Sequence, residues 1–249
     1  MTFFNIVIPL YNAEKWLTRC LKTIMAQDYN NYRVIIINDC STDNSKSVIE
    51  SKIKENDKFT LISTPQNGGS LNSIKFGIDF ADPRDEDIIV LLDGDDWLAR
   101  PDVLTILNRA YAGNDCLMTY GSYIEYPANV RGKFSRQLPE NVTKEKLFRG
   151  HTWATSHLKT FKYKLWKNIK KEDILDSNTN KPYSMAGDLC LMFPMLEMAE
   201  ERSLFIEDIL YVRNGSNPIN EHYVDHTQQM RIEQEVRSKS IYPRLEEIQ

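Results

Sequence analysis

Apolar residues in the first half of the chain follow two alternating rhythms. Short, nearly unbroken apolar runs give way to stretches with an apolar residue every third or fourth position. Phe4 to Leu10 is the first run, the pattern of a strand buried on both faces. Trp16, Leu17, Cys20, Leu21, Ile24 and Met25 then recur at helical spacing, which predicts an amphipathic helix from Ala13 to Gln27. Val34-Ile35-Ile36-Ile37 predicts a second buried strand within Arg33 to Asn38, and Ser41-Thr42-Asp43 offers N-caps for a helix to Glu55. Phe59 to Ser63 reads as a third strand, Asn67-Gly68-Gly69 as a turn, and the residues up to Phe80 as a helix. Ile88 to Leu92 is a fourth buried strand that runs into acidic residues. Pro101 suits the first turn of a further helix, and Asp115 to Tyr120 reads as a fifth strand.

The second half is less regular. Short strands are expected between Tyr120 and Gln137, and a helix over Lys162 to Lys170. Gly187 to Ala199 reads as an apolar helix interrupted by Pro194, Ser203 to Ile206 as an edge strand, and His226 to Ser240 as a polar helix. The alternation in the first half predicts an α/β fold with an open, mostly parallel sheet flanked by helices and joined by right-handed crossovers. Sheets of that kind bind ligands at the carboxyl ends of their strands. Three polar segments fall there: Pro9 to Asn12, Asn38 to Asp43, and Asp93 to Asp96.

Composition narrows the function classes. The chain has 249 residues, 41% of them apolar and 27% charged, enough for one substantial core. A formal net charge of −4 offers no global basic field for nucleic acid. No apolar run reaches the roughly 18–20 residues of a membrane span, and Met1 to Leu10 does not read as a signal peptide. The four cysteines, Cys20, Cys40, Cys116 and Cys190, are scattered and form no metal motif; they read as reduced thiols of a cytoplasmic protein.

Asp93-Gly94-Asp95-Asp96 puts three carboxylates in four positions after an apolar strand. Along an extended chain, Asp93 and Asp95 project to one side. Crowded carboxylates repel, and a hard divalent cation relieves them; Mg²⁺ and Mn²⁺ favour such oxygen ligands together with substrate phosphates. The competing reading is an acidic cap for the helix that follows.

Ile8-Pro9-Leu10-Tyr11-Asn12, Ile37-Asn38-Asp39-Cys40-Ser41-Thr42-Asp43 and Leu92-Asp93-Gly94-Asp95-Asp96, in this order, resemble the signature of the family 2 glycosyltransferases. Those are inverting enzymes of the GT-A fold, and the resemblance is clear over the first 125 residues. It implies one GT-A domain with a nucleotide-sugar half (1–125) and an acceptor-binding, catalytic-base half (126–249). It implies that Pro9, Tyr11 and Asn12 lie at the base or ribose, and that Asp39 accepts a hydrogen bond from the nucleobase. A carboxylate pairs with an imide N–H, which favours a UDP-sugar, although the family also uses guanine. Asn38 stands where many members carry another acid.

The resemblance further implies that Asp93, Gly94 and Asp95 meet the donor and that Asp95 or Asp96 holds Mn²⁺ or Mg²⁺, with His222 a candidate further ligand. Lys75 stands near the place of an Arg-Asn pair and is either a donor cation or part of a solvated helix face. Asp188 stands where the family has its catalytic base; an N-cap for the following helix is the alternative. The segment His151 to Lys171 mixes aromatics with cations, mostly a solvated lysine face, and Trp153 and His157 are its acceptor-side candidates. Two other classes compete. A sugar-1-phosphate nucleotidyltransferase is expected to carry a Gly- and Arg-rich loop after the first strand, where Tyr11-Asn12-Ala13-Glu14 stands instead. A non-catalytic carbohydrate-binding relative is expected to lose the acids that this chain keeps.

Overall fold

The computed structural model describes residues 1–113, 115–218 and 226–248. The apolar runs of the first half form strands β1 (Phe4–Leu10), β2 (Tyr32–Asn38), β3 (Phe59–Ser63) and β4 (Ile88–Leu91). Helices α1 (Glu14–Met25), α2 (Ser45–Ile53) and α3 (Ser70–Ala81) connect them. All pairings among these strands are parallel, with Phe4 of β1 opposite both Tyr32 of β2 and Ile88 of β4. A two-residue strand β5 (Trp97–Leu98) and helix α4 (Val103–Gly113) follow the acidic cluster.

The second half contributes β6 (Met118–Tyr126), β7 (Val130–Arg131), α5 (Glu140–Lys144), β8 (Lys159–Lys162), α6 (Tyr163–Trp166), α7 (Gly187–Ala199), β9 (Ser203–Asn214) and α8 (His226–Ser238). These strands extend the same sheet, in the order β3-β2-β1-β4-β8-β6-β9-β5, with β7 paired to β6. The expected α/β class and open sheet hold. Parallel pairing is kept in β3-β2-β1-β4 and in β6-β9, while β8 lies antiparallel between β4 and β6.

Because neighbouring residues of a strand face opposite ways, the sheet has two apolar faces. Phe4, Ile6 and Ile8 of β1 pack with Leu17 and Leu21 of α1 and Leu104 of α4. Val7, Leu91 and Phe161 pack on the other face with Ile74 and Ile78 of α3 and Met192 of α7. The result is three layers, helix–sheet–helix.

Two expectations for the second half are corrected. The helix expected over Lys162 to Lys170 shrinks to one turn, α6, because the chain before it is strand β8. Several of its lysines form surface ion pairs: Lys162 and Lys164 pair with Glu86, and Lys167 with Asp85, while Lys167, Lys170 and Lys171 stay exposed. The edge strand expected at Ser203 to Ile206 is instead the twelve-residue interior strand β9, between β6 and β5. Its register against β6 jumps, with Gly121 opposite Ile206 but Ser122 opposite Ile209. Glu207 and Asp208 occupy this bulge and stay exposed, with Asp208 paired to Arg100. No helix among the described residues is long and apolar enough to cross a membrane.

Candidate active site

A cleft of about 1060 Å³ opens at the carboxyl ends of β1, β2 and β4. Pro9, Tyr11, Asp39, Asp93, Gly94, Asp95 and Asp96 line it from the first half, and Trp153, His157 and Asp188 from the second. The topology explains the meeting. Parallel strands end together at this edge, and the antiparallel β8 starts there, with Lys159 opposite Leu91.

On the wall built by the first half, Asp39 is buried directly after β2. Its carboxylate accepts the Thr64 hydroxyl at 2.8 Å and the backbone N–H groups of Gly68 and Gly69. Gly69 has φ of 84°, a left-handed conformation that glycine adopts without strain. Asp39 thus fixes the expected Asn67-Gly68-Gly69 turn at the cleft wall. Gly68 N–H lies 3.0 Å from both oxygens, so the three donors make four contacts, two on each oxygen. Tyr11 is 39% exposed, its ring free to meet a ligand face.

Asn12 does not line the cleft. Its backbone is left-handed (φ 50°) and its side chain turns to the next loop, where Oδ1 accepts Thr42 N–H at 2.8 Å. Lys75 is also absent from the cleft lining; it pairs with Asp79 on the exposed face of α3, as the solvated-face reading expects. Asp43, expected as a cap, serves two helices: Oδ1 accepts Ser45 N–H and Oδ2 accepts Glu14 N–H.

The acidic cluster divides its labour. Gly94 N–H donates to Pro9 O, and a Cβ at Gly94 would stand 2.5 Å from Leu10 Cβ. Only glycine lets the acidic loop press against the end of β1. Asp96 is 4% exposed. Its Oδ1 accepts Asn214 N–H at 2.6 Å and its Oδ2 accepts the Tyr211 hydroxyl at 2.5 Å. Both oxygens therefore have a protein donor, and Asp96, expected as a metal ligand, ties β9 to the cluster. Asp93 and Asp95 are only half-buried. Tyr211 lies 3.2 Å from Asp93, and Asn217 Nδ2 donates to Asp95 at 2.8 Å.

Burial pushes the Asp93 carboxyl up to about 6, the Lys159 charge opposing the rise and Asp95 and Asp188 adding to it. Burial raises Asp95 as well. Two desolvated neighbouring carboxylates with raised affinity for protons also have raised affinity for a cation. Among the described residues no three His, Cys, Asp or Glu enclose a metal position. The fit is to a hard cation held by one or two carboxylates that completes its shell with ligand phosphates. His222, the other expected ligand, lies outside the described residues.

On the opposite wall, Asp188 sits in the first turn of α7. No side chain caps that helix, so the cap reading of Asp188 fails. Its Oδ1 is instead ion-paired with the Lys159 ammonium. His157 is buried, stacks on Tyr211 at 4.4 Å and meets Tyr123 edge-on. Burial, helped by Lys159, holds the imidazole well below its ordinary pKa and so neutral. Trp153 packs edge-on against Phe193 with centroids 5.7 Å apart, and its outer side faces the cleft.

Three residues went unrecognised in the sequence. Tyr211 links Asp93, Asp96 and His157, yet in an apolar strand a tyrosine reads as core. Asn217 lies in the loop after β9 and returns to Asp95. Lys159 was one cation in a lysine-rich segment, and nothing in its spacing marks it as buried.

Residues 5–184 match the model of glycosyl transferase family 2. An uncharacterized glycosyltransferase of Haemophilus influenzae is 33% identical over 123 residues, 49% of this chain and 48% of that protein. Glycosyltransferase GlyG of Streptococcus pneumoniae is 26% identical over 49% of this chain and 39% of its own length. The matched stretch thus spans less than half the length of these relatives. In three dimensions, Staphylococcus aureus TarS in complex with UDP-GlcNAc superposes with a TM-score of 0.69 at 18% identity, covering 94% of this chain and 66% of that one. A mannosyltransferase of Pyrobaculum calidifontis in complex with GDP-Man and Mn²⁺ gives 0.58 at 15% identity, covering 93% and 60%. These likenesses show a shared GT-A fold. With the family model matched over more than half its length, the chain belongs to glycosyl transferase family 2.

Proposed function

We propose that this glycosyltransferase moves a sugar from a UDP-sugar to an acceptor hydroxyl by a single inverting displacement assisted by Mn²⁺ or Mg²⁺. The observation that carries the reading is the meeting in one cleft of the half-buried pair Asp93 and Asp95 with the ionised Asp188. The first two are cation ligands waiting for phosphate, and the third is a base within their electrostatic reach. Residues 1–125 then form the donor side and 126–249 the acceptor side.

Tyr11 and Pro9 pack on the base and ribose. Asp39 accepts the imide N–H of uracil in place of part of its shared contact with Gly68, and keeps the 67–69 turn in place. Asp95, with Asp93, holds the divalent cation, which when bound neutralises charge on the leaving diphosphate. Asn12 and Asp96 are braces. Asp188 accepts the acceptor's hydroxyl proton as the new bond forms between the acceptor oxygen and the anomeric carbon. The bond from that carbon to the phosphate oxygen breaks, and UDP leaves with the electron pair. Trp153 and His157 line the acceptor side, where an indole face suits a sugar ring.

A panel of UDP-, GDP-, dTDP- and ADP-sugars with Mn²⁺ tests this, read as nucleoside diphosphate release. UDP is the expected product. A GDP-sugar as the preferred donor would overturn the role given to Asp39. Full activity in the presence of chelator would overturn the role of the cation.

A further inference from the structure

Lys159 is the one buried lysine among the described residues, 4% exposed. A buried ammonium is unfavourable unless something requires it there. Its protein acceptor is Asp188 Oδ1. The two partners are unequal: the side chain of Lys159 is 5% exposed, that of Asp188 43%. Lysine is the fixed member, seated at the first residue of β8 in the sheet. Asp188 is the member reaching out from a helix start that it does not cap. Among the described residues, Asp188 Oδ2 has no protein donor.

We infer that Lys159 is the positioning residue for the base: its buried ammonium clamps Oδ1 of Asp188 and leaves Oδ2 as the atom that takes the acceptor proton. This rests on the proposed role of Asp188. The geometry gives the clamp two effects. A carboxylate in the first turn of a helix has several rotamers, and one fixed oxygen selects among them. The same cation keeps the carboxylate ionised.

The charged and titratable groups around Asp188 are Lys159 and His157 from the β8 segment, Arg213 from β9, Asp93 after β4, and Cys190 one turn along α7. Burial pushes Asp188 upward, and Lys159 leads the opposing group that brings it below its ordinary value. His157 is neutral near pH 7, as argued above, so the decisive positive charge is the lysine's. Without Lys159, the leading opposing charge is gone, burial and Asp93 act against Arg213 and His157 alone, and Asp188 holds its proton to higher pH.

The test needs no acceptor for its first part. With ¹³Cγ-labelled aspartate, the Asp188 carboxyl is assigned by its disappearance in Asp188→Asn and titrated in wild type, Lys159→Met, Lys159→Gln and Lys159→Arg. The midpoint is expected to rise in Met and Gln and to stay near wild type in Arg. Turnover, read as UDP release from the best donor of the panel, is expected to fall on the order of 10- to 100-fold in Met and Gln. The acid limb of its pH profile should move up, and Lys159→Arg should recover part of the rate. UDP affinity in Mn²⁺ should stay within about twofold, and Lys159→Met/Asp188→Asn should be no slower than Asp188→Asn alone.

An unmoved Asp188 midpoint in both neutral variants overturns the inference. So does a normal turnover at saturation with weakened UDP binding, which would give the lysine to the diphosphate. If Asp188→Asn is fully active, the role of Asp188 as base fails, and the titration still reports whether the clamp exists.

Discussion

Asp95 and Asp96 are adjacent in sequence and both belong to the family's acidic signature, yet the structure predicts that they fail differently when altered. Asp96→Ala removes the acceptors of two buried donors, Asn214 N–H and the Tyr211 hydroxyl. Each unsatisfied donor costs about 1–3 kcal/mol. Tyr211 can turn to Asp93, 3.2 Å away, so its loss is the smaller. Burial disfavours the Asp96 charge, its carboxyl being raised well above the ordinary range with Asp95 and Asp93 adding to the rise. Removing that charge returns part of the loss. A net destabilisation of about 2–4 kcal/mol remains, within the range for breaking a buried network.

At about 2–4 °C per kcal/mol for a chain of this size, Asp96→Ala should melt roughly 4–16 °C below wild type. Asp96→Asn keeps the shape and one acceptor and removes the buried charge, so a shift within about 1 kcal/mol is expected. Asp95→Asn should melt near wild type, because Asp95 is half-exposed with a single side-chain partner. Isothermal calorimetry with UDP and Mn²⁺ should show the reverse order: affinity largely retained in Asp96→Asn and largely lost in Asp95→Asn. A stable Asp96→Asn that binds no UDP, beside an Asp95→Asn that binds normally, would refute the division between brace and ligand.

Other variants extend the reasoning. Asp188→Asn should keep UDP and Mn²⁺ affinity but lower turnover by roughly 10²–10⁴; near-normal turnover would remove it from the mechanism. Chelation should abolish the thermal stabilisation by UDP, which at a hundredfold excess over Kd amounts to about 2.7 kcal/mol; an unchanged melting shift would argue for metal-free binding. Gly94→Ala forces Leu10 or the acidic loop to move, since the new Cβ falls 2.5 Å from Leu10 Cβ. A loss of about 1–3 kcal/mol in urea unfolding is expected, together with weaker UDP binding.

Much of the first half was legible because buried parallel strands announce themselves as apolar runs. Phe4 to Leu10 and Phe59 to Ser63 appear in the structure with the expected limits. Site residues at strand ends inherited that legibility, and Asp39 and Asp93 fall into the cleft because β2 ends where expected and β4 one residue earlier. The second half hid its strands for local reasons. β8 is four residues long, Lys159 to Lys162, too short to display a two-residue period, and its lysines mimic a polar face. β9 seemed to stop at Ile206 because Glu207 and Asp208 look like a turn, whereas they fill a bulge and the strand continues to Asn214. Residues whose roles depend on those strands, Lys159 and Tyr211, could not be placed from local pattern. Their significance is a matter of which strand lies beside which.

The starts of α1 and α2 are stitched to each other. Ala13 N–H donates to Ser45 Oγ, Glu14 N–H to Asp43, and Asn44 N–H to Glu14. In many nucleotide-binding α/β folds such amides, with the positive end of the helix, cradle phosphate. Here the protein's own acids and hydroxyls occupy them, so these two helices have no standing electrostatic attraction to offer a diphosphate. In the function proposed above, the donor's negative charge is met instead by the bound cation and by cleft side chains such as Arg213. On that proposal, affinity for nucleotide tracks the concentration of a diffusible counter-ion, and a fall in that concentration is expected to weaken nucleotide binding without any change in the fold.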